Sequence, residues 1–196
     1  MNTTMSSDNP WKTISSRAVY KNPWFSVRED QVIRPDGTPG IYGVVELPSS
    51  VGVVAISDRD EVALVKQWRY VHGRESLEIP TGGTDADDKQ IIDAARRELF
   101  EETGLKASRW YGLGTIENSN GATTDIAHLF LATQLTHGPK PPIPDEAIVL
   151  VWLPIDEAVE MALDGRISES TSVAALLRGR LLGLDSAAAH RWAGTD

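Results

Sequence analysis

The stretch Arg97-Glu98-Leu99-Phe100-Glu101-Glu102-Thr103-Gly104-Leu105, preceded by the glycine pair Gly82-Gly83, constrains this chain more than any other. Its periodicity is that of a helix. Ile91, Ala95 and Leu99 recur at i, i+4 and i+8 as a stripe to be buried. Gly104 stands where a left-handed residue closes a helix, and Leu105 supplies the apolar contact that goes with such a stop. Asp87 or Asp88 is placed to cap the start, because a carboxylate accepts the orphan N–H groups there. At about 100° per residue, Glu101 and Glu102 fall about 60° to one side and 40° to the other side of Glu98. Like charges this close cost a helix a few tenths of a kcal/mol each. A helix that gathers three carboxylates regardless has a positive charge to seat. Oxygen donors of this kind suit a hard cation, Mg²⁺ or Mn²⁺.

Composition removes several classes of function. The net charge of −9 leaves no basic excess to displace counterions from a nucleic acid polymer. It does not exclude a small phosphorylated substrate whose charge a metal neutralises. Cysteine is absent, so disulfides and thiolate metal sites are excluded, and four scattered histidines make a poor zinc site. No window approaches the run of about 18 apolar residues that a membrane span needs. The polar lead from Met1 to Pro10 has no apolar core of a signal peptide, so a cytoplasmic location is expected.

The length suits one folded domain with a sizeable core. Residues 1–12 read as a disordered lead. Residues 13–47 alternate β-formers with polar residues, broken by Asn22-Pro23 and Pro35-Asp36-Gly37, and predict antiparallel strands with tight turns. Val51–Ile56 and Glu61–Gln67 predict a hairpin around Asp58-Arg59-Asp60. A short strand, Ser76 to Ile79, leads to Pro80-Thr81-Gly82-Gly83 and the acidic helix. Trp110–Ile116, Ile126–Thr133 and Ala147–Leu153 predict strands. His137 to Asp145 is a Pro-rich excursion. Ile155–Leu163 and Ser170–Leu184 predict amphipathic helices, and 186–196 is a tail. This order gives an α+β fold, a mixed sheet between helices with an N-terminal antiparallel sheet, the main domain spanning 48–185.

The segment Gly82 to Leu105 resembles a Nudix box: Gly, five residues, Glu, seven residues, then Arg-Glu-apolar-any-Glu-Glu-any-Gly-apolar. Arg97, Glu98, Leu99, Glu101, Glu102, Gly104 and Leu105 fill every specified position of the second half. The first half departs. Counting back from Arg97 gives Gly83 as the box glycine and Lys89 where Glu belongs. Gly82 with one inserted residue puts Asp88 there instead. The second alignment is favoured, because Lys cannot accept a hydrogen bond and Asp keeps the carboxylate. Leu64 to Tyr70, Leu77-Glu78-Ile79-Pro80, Asp145-Glu146 and Trp152 to Ala158 resemble the ADP-ribose pyrophosphatase branch of that family. The likeness runs from about Trp24 to Leu182.

The resemblance implies a Nudix fold and hydrolysis of a nucleoside diphosphate linked to another moiety. ADP-ribose, giving AMP and ribose 5-phosphate, is the first candidate substrate. It implies that Glu98, Glu101 and Glu102 hold the metal, with the backbone carbonyl of Thr81 as a further ligand and Arg97 orienting the carboxylates. It implies a catalytic base from a late loop, at Glu146 or Asp145. It also implies a homodimer built by the early strands, whose partner chain completes the site. Arg69 suits a diphosphate contact, because a guanidinium grips phosphate oxygens in pairs, and Glu78 assists metal or substrate. Trp24, Phe25 and Trp68 either stack on a base or pack, packing being the commoner fate of aromatics. Two alternatives remain. One is another nucleotide substrate: a GDP-sugar, NADH or a dinucleoside polyphosphate. The other is a silent nucleotide-sensing domain, which would have no need of all three carboxylates.

Overall fold

The structure, a computed structural model, describes residues 9–138 and 147–183. These form two compact units. One comprises residues up to 48 together with 119–125, the other residues 49–118 and those from 126 onward.

The smaller unit is a three-stranded antiparallel sheet, β1 (Lys12–Lys21), β2 (Ser26–Ile33) and β3 (Pro39–Glu46), in that spatial order. Asn22 closes the first turn by accepting the N–H groups of Trp24 and Phe25 on its side-chain oxygen, both at 2.8 Å. Gly37, at φ 83°, closes the second. Residues 119–125 join this unit through Thr124, whose hydroxyl accepts from the Leu47 N–H at 2.9 Å. β1 is exposed along its whole length.

The larger unit is a seven-stranded mixed sheet between helices. Its strands are β4 (Ser50–Ile56), β5 (Glu61–Arg69), β6 (Arg74–Glu78), β7 (Thr81–Gly83), β8 (Leu105–Glu117), β9 (Ile126–His137) and β10 (Val149–Pro154). Its helices are α1 (Ile91–Thr103), α2 (Ile155–Leu163) and α3 (Ser170–Leu181). The main path is β10-β5-β4-β9-β8, with β6 on β5 and β7 on β4. The β4–β9 pair is parallel and the others are antiparallel.

Strand alternation divides the core in two. Val51, Val53 and Ala55 of β4 meet Ala94, Ala95 and Leu99 of α1 on one face. Val54 and Ile56 face the other way and join Ala158 of α2 and Ala175 and Leu176 of α3. The period-two and period-four patterns therefore meet across each layer.

Several boundaries move from the sequence reading. The β4–β5 hairpin pairs only through Ala55↔Ala63 and Ile56↔Val62. Beyond that the strands separate, and β7 takes β5's place on one edge of β4. Thr81–Gly83 is thus a short strand rather than part of a loop. A single 3₁₀ turn, Tyr70–His72, joins β5 to β6 and ends at Gly73, φ 61°. The α1 cap is Gln90, not Asp87 or Asp88. Its N–H donates to Asp93 Oδ2 at 3.1 Å, the reciprocal half of a capping box.

Candidate active site

The site residues sit where β7 passes between the central strand and α1. Val51↔Gly82 and Gly52↔Thr81 fix β7 in register beside β4. A Cβ on Gly82 would lie 2.1–2.3 Å from the Glu98 carboxylate. Only glycine lets the α1 carboxylate approach the strand so closely. That contact sets Gly82 directly against the Glu98 carboxylate.

Arg97 organises the acids around it. Its Nη1 donates to Glu98 Oε1 at 2.6 Å and to Glu101 Oε2 at 3.2 Å. Its Nη2 donates to Asp88 Oδ2 at 3.1 Å and to the Gly83 carbonyl at 2.8 Å, and lies 3.4 Å from Asp85 Oδ2. Asp88 also accepts the Asp85 N–H at 2.7 Å, closing the loop before the helix. That is why Asp88 is unavailable as the helix cap. The Arg97 guanidinium is held above its ordinary range: burial pulls it down, but Asp88, Glu98 and Asp85 outweigh that. Burial pushes the Glu98 carboxyl up, against the pull of Arg97.

Glu102 points elsewhere. It is buried and accepts the Thr81 N–H at 3.0 Å. Among the described residues, no three acidic or imidazole side chains are arranged to hold a metal ion as they stand. The trio shares a helical face, as the angles require, but its side chains divide. Arg97 occupies the space between Glu98 and Glu101, and Glu102 turns to β7. The chemistry nonetheless fits a hard cation. One guanidinium faces the four carboxylates of Asp85, Asp88, Glu98 and Glu101. Glu102 adds a fifth beside Thr81, so the cluster consists of oxygen donors in charge excess.

A cleft of about 890 Å³ opens alongside, lined in part by Trp68, Arg69, Glu78, Thr81 and Glu169. Glu78 is 1% exposed and Arg69 faces the cleft. Arg69 Nε donates to Glu78 Oε1 at 2.9 Å, and Nη2 donates to Glu78 Oε2. Burial alone would raise the Glu78 carboxyl, but Arg69, with help from Ser76, holds it below its ordinary value. A guanidinium has five N–H groups, so this fork leaves Arg69 the means to bind an anion in the cleft.

The structure therefore brings Thr81 to Glu102, Arg97 to Glu98 and Glu101, and Arg69 to Glu78, with Arg69, Glu78 and Thr81 on one cleft. Asp145 and Glu146 lie outside the described residues. The packing expected of the aromatics holds for Phe25, 5.7 Å from Tyr20. It fails for Trp24, 75% exposed, and for Trp68, 62% exposed in the cleft wall. Both tryptophans flank turns, where no second layer covers them. Glu169 was missed by sequence reasoning. Its signal was an acid immediately before the α3 pattern, a cap position.

Comparison with known proteins agrees with this geometry. A family model described as NUDIX domain matches residues 46–176. A second, described as nucleoside diphosphate sugar hydrolase N-terminal domain, matches residues 11–45. The chain is 33% identical over 172 residues to an ADP-ribose pyrophosphatase of Mycobacterium tuberculosis, covering 87% of this chain and 83% of that one. It is 33% identical over 134 residues to a GDP-mannose pyrophosphatase of Yersinia enterocolitica, covering 63% and 68%. The fold resembles the crystal structure of an ADP compounds hydrolase, with a TM-score of 0.79 at 20% identity over 90% of this chain and 96% of that one.

Proposed function

This chain belongs to the Nudix family, and from that premise we propose that it is a divalent-metal-dependent pyrophosphohydrolase cleaving ADP-ribose to AMP and ribose 5-phosphate. The observation that carries the reading is one cleft with two contrasting kinds of lining. Arg69, braced on buried Glu78, offers N–H groups to it, and Thr81, which meets the acidic helix through Glu102, lines it too. A diphosphate needs both: donors for its non-bridging oxygens and a cation to offset the rest of its charge.

Glu98, Glu101, Glu102 and the Thr81 carbonyl hold the metal in this reading, Mg²⁺ or Mn²⁺. Bound there, the ion supplies charge neutralisation at the phosphoryl oxygens and a more acidic water. The protein's own residues do the rest. Arg69 grips the diphosphate as a planar fork. Glu78 keeps that fork oriented. Arg97 keeps Glu98 and Glu101 in place by donating to both. Asp145 or Glu146 takes the proton from the attacking water, which requires hydrogen-bond reach to that water. Trp68, exposed in the cleft wall, presents a flat apolar face to the substrate's base.

A homodimer belongs to the same reading. Ile14, Val19, Tyr20 and Ile41 of the three-stranded sheet are more than half exposed, a surface that a second copy can cover. GDP-mannose is the second substrate to test, given the Yersinia relative. The intact Arg97, Glu98, Glu101 and Glu102 favour turnover over silent sensing.

The test is a substrate panel of ADP-ribose, GDP-mannose, NADH and a diadenosine polyphosphate, each with Mg²⁺, with Mn²⁺ and with EDTA. AMP and ribose 5-phosphate should appear fastest from ADP-ribose, and EDTA should stop the reaction. Preferential cleavage of another panel member would replace ADP-ribose as substrate. Metal-independent cleavage would remove the assigned role of the acidic helix.

A further inference from the structure

We propose that Ser172 and Glu169, on the helix layer opposite α1, are positioning residues for the diphosphate-cleaving site. The inference rests on the reading above, in which the Thr81 backbone takes part in holding the metal.

Three consecutive residues, Ile79, Pro80 and Thr81, are each fixed by a different element. The Ile79 N–H donates to Ser172 Oγ of α3 at 3.0 Å. The Pro80 carbonyl accepts the Val53 N–H of β4 at 2.9 Å. The Thr81 N–H donates to Glu102 of α1 at 3.0 Å. Proline has no N–H, so the two helix layers hold both backbone N–H groups this segment has. The strand that presents Thr81 is thus tied from above, from below and from its side.

The α3 attachment has features of a built support. Ser172 and Ile79 are fully buried. The Ser172 hydroxyl in turn donates to Glu169 Oε2 at 2.8 Å. The same oxygen accepts the Ser172 N–H at 2.7 Å, and Oε1 accepts the Thr171 N–H at 2.8 Å. A hydrogen-bond chain that ends on a carboxylate is stronger and better aimed than an isolated neutral bond. Packing does not require it, because α3 is anchored in the core by Ala175 and Leu176. Glu169 also lines the cleft that Arg69 and Thr81 share. The support therefore sits at the place where a shift of the strand would be felt.

The experiment compares the parent chain with Ser172→Ala, Glu169→Gln and, as a packing control, Leu177→Ala. Each is measured for Mn²⁺ uptake by electron paramagnetic resonance, for kcat and KM on ADP-ribose, and for Tm. Removing a group that orients a metal ligand characteristically costs about 10–100-fold in metal affinity or activity. Ser172→Ala should weaken Mn²⁺ uptake and lower kcat within that range, with KM changing far less. Glu169→Gln keeps one acceptor oxygen and should give a smaller loss of the same kind, which serves if Ser172→Ala does not fold. Leu177→Ala should lower Tm while leaving Mn²⁺ uptake and kcat at parental values. Parental Mn²⁺ affinity and kcat in both Ser172→Ala and Glu169→Gln would overturn the proposal. So would a Leu177→Ala variant that loses Mn²⁺ uptake to the same extent. A parent that binds no Mn²⁺ and cleaves no ADP-ribose overturns the proposed function, and the support with it. A parent that does both, beside unaffected variants, overturns the support alone.

Discussion

At the residue scale the most exposed dependency is Glu78 on Arg69. Glu78 is buried, and Arg69 does most to hold its carboxyl below the ordinary value against that burial. Arg69→Ala should raise KM strongly, because the cleft loses its anion donor. It should also destabilise the fold by about 3 kcal/mol, the lower end of the cost of orphaning a buried charge, since Arg69 itself is partly solvated. The pH dependence should change sign. In the parent, the Glu78 carboxyl lies below its ordinary 4.5, so its contribution is present above that value and is lost as pH falls through the folded pKa. In Arg69→Ala the largest opposition to burial is gone, only Ser76 and Arg74 still pull the carboxyl down, and it rises. That variant should then regain stability relative to the parent as pH falls from 7 toward 5. Chemical denaturation at several pH values checks this. Glu102→Gln is a second test: the amide oxygen still accepts the Thr81 N–H, so Tm should barely move while kcat falls by orders of magnitude. Arg69, Glu78, Glu98, Glu101 and Glu102 stand out in the sequence as candidates, because chemistry restricts which side chains can hold phosphates and cations. Their pairing does not. A helical angle fixes where a Cα lies, but whether Glu102 turns to its neighbour on α1 or to β7 is decided by a strand far away in sequence.

At the element scale, α1 was legible because it obeys one period from Ile91 to Leu99 and stops at a glycine. The φ of Gly104, 74°, and its N–H bond to the Phe100 carbonyl at 2.8 Å are what that glycine predicts. Its cap was not legible. Gln90, Asp88 and Asp87 compete within one turn, and Asp88 is drawn off by Arg97, a contact that no local propensity contains. The strand β7 escaped for a related reason: it is only three residues long and pairs with β4 through register, not through its own β preference. Gly82 joins the two elements. Gly82→Ala should force the Glu98 carboxylate off the strand, because a methyl would lie 2.1–2.3 Å from it. The φ of Gly82 is one that alanine adopts, so Tm should fall only modestly. The expected result is a loss of activity out of proportion to the loss of stability, read from kcat and Tm on the same preparation. Parental turnover in Gly82→Ala would mean that the close approach of α1 to β7 is not needed.

For the whole molecule, the alternation of layers was read correctly because buried strands and helices carry their period in the sequence. A mixed sheet between helices follows from the order of the elements. Association between chains is not encoded that way. The three-stranded sheet exposes Ile14, Val19, Tyr20 and Ile41 at 57%, 52%, 54% and 60%. A small sheet needs an apolar face covered to be stable. Scattered single exposures would need no explanation, but the register puts Tyr20 and Ile41 on one face of the sheet, a surface that a second copy can cover. If a second copy covers it, the interface should bury at least about 1,200 Å² in total, enough to persist at micromolar concentration. Light scattering should then give twice the 21.4 kDa of one chain. Replacing Ile41 and Tyr20 together with Glu sets like charges facing one another across a two-fold interface, where residue i meets the partner's patch. That variant should run at the single-chain mass. If the partner also completes the substrate site, its kcat/KM for ADP-ribose should fall while Mn²⁺ uptake by α1 stays parental. A parent that scatters as a single chain at micromolar concentration removes the dimer, and leaves the acidic helix and the Arg69 cleft to account for catalysis within one protomer.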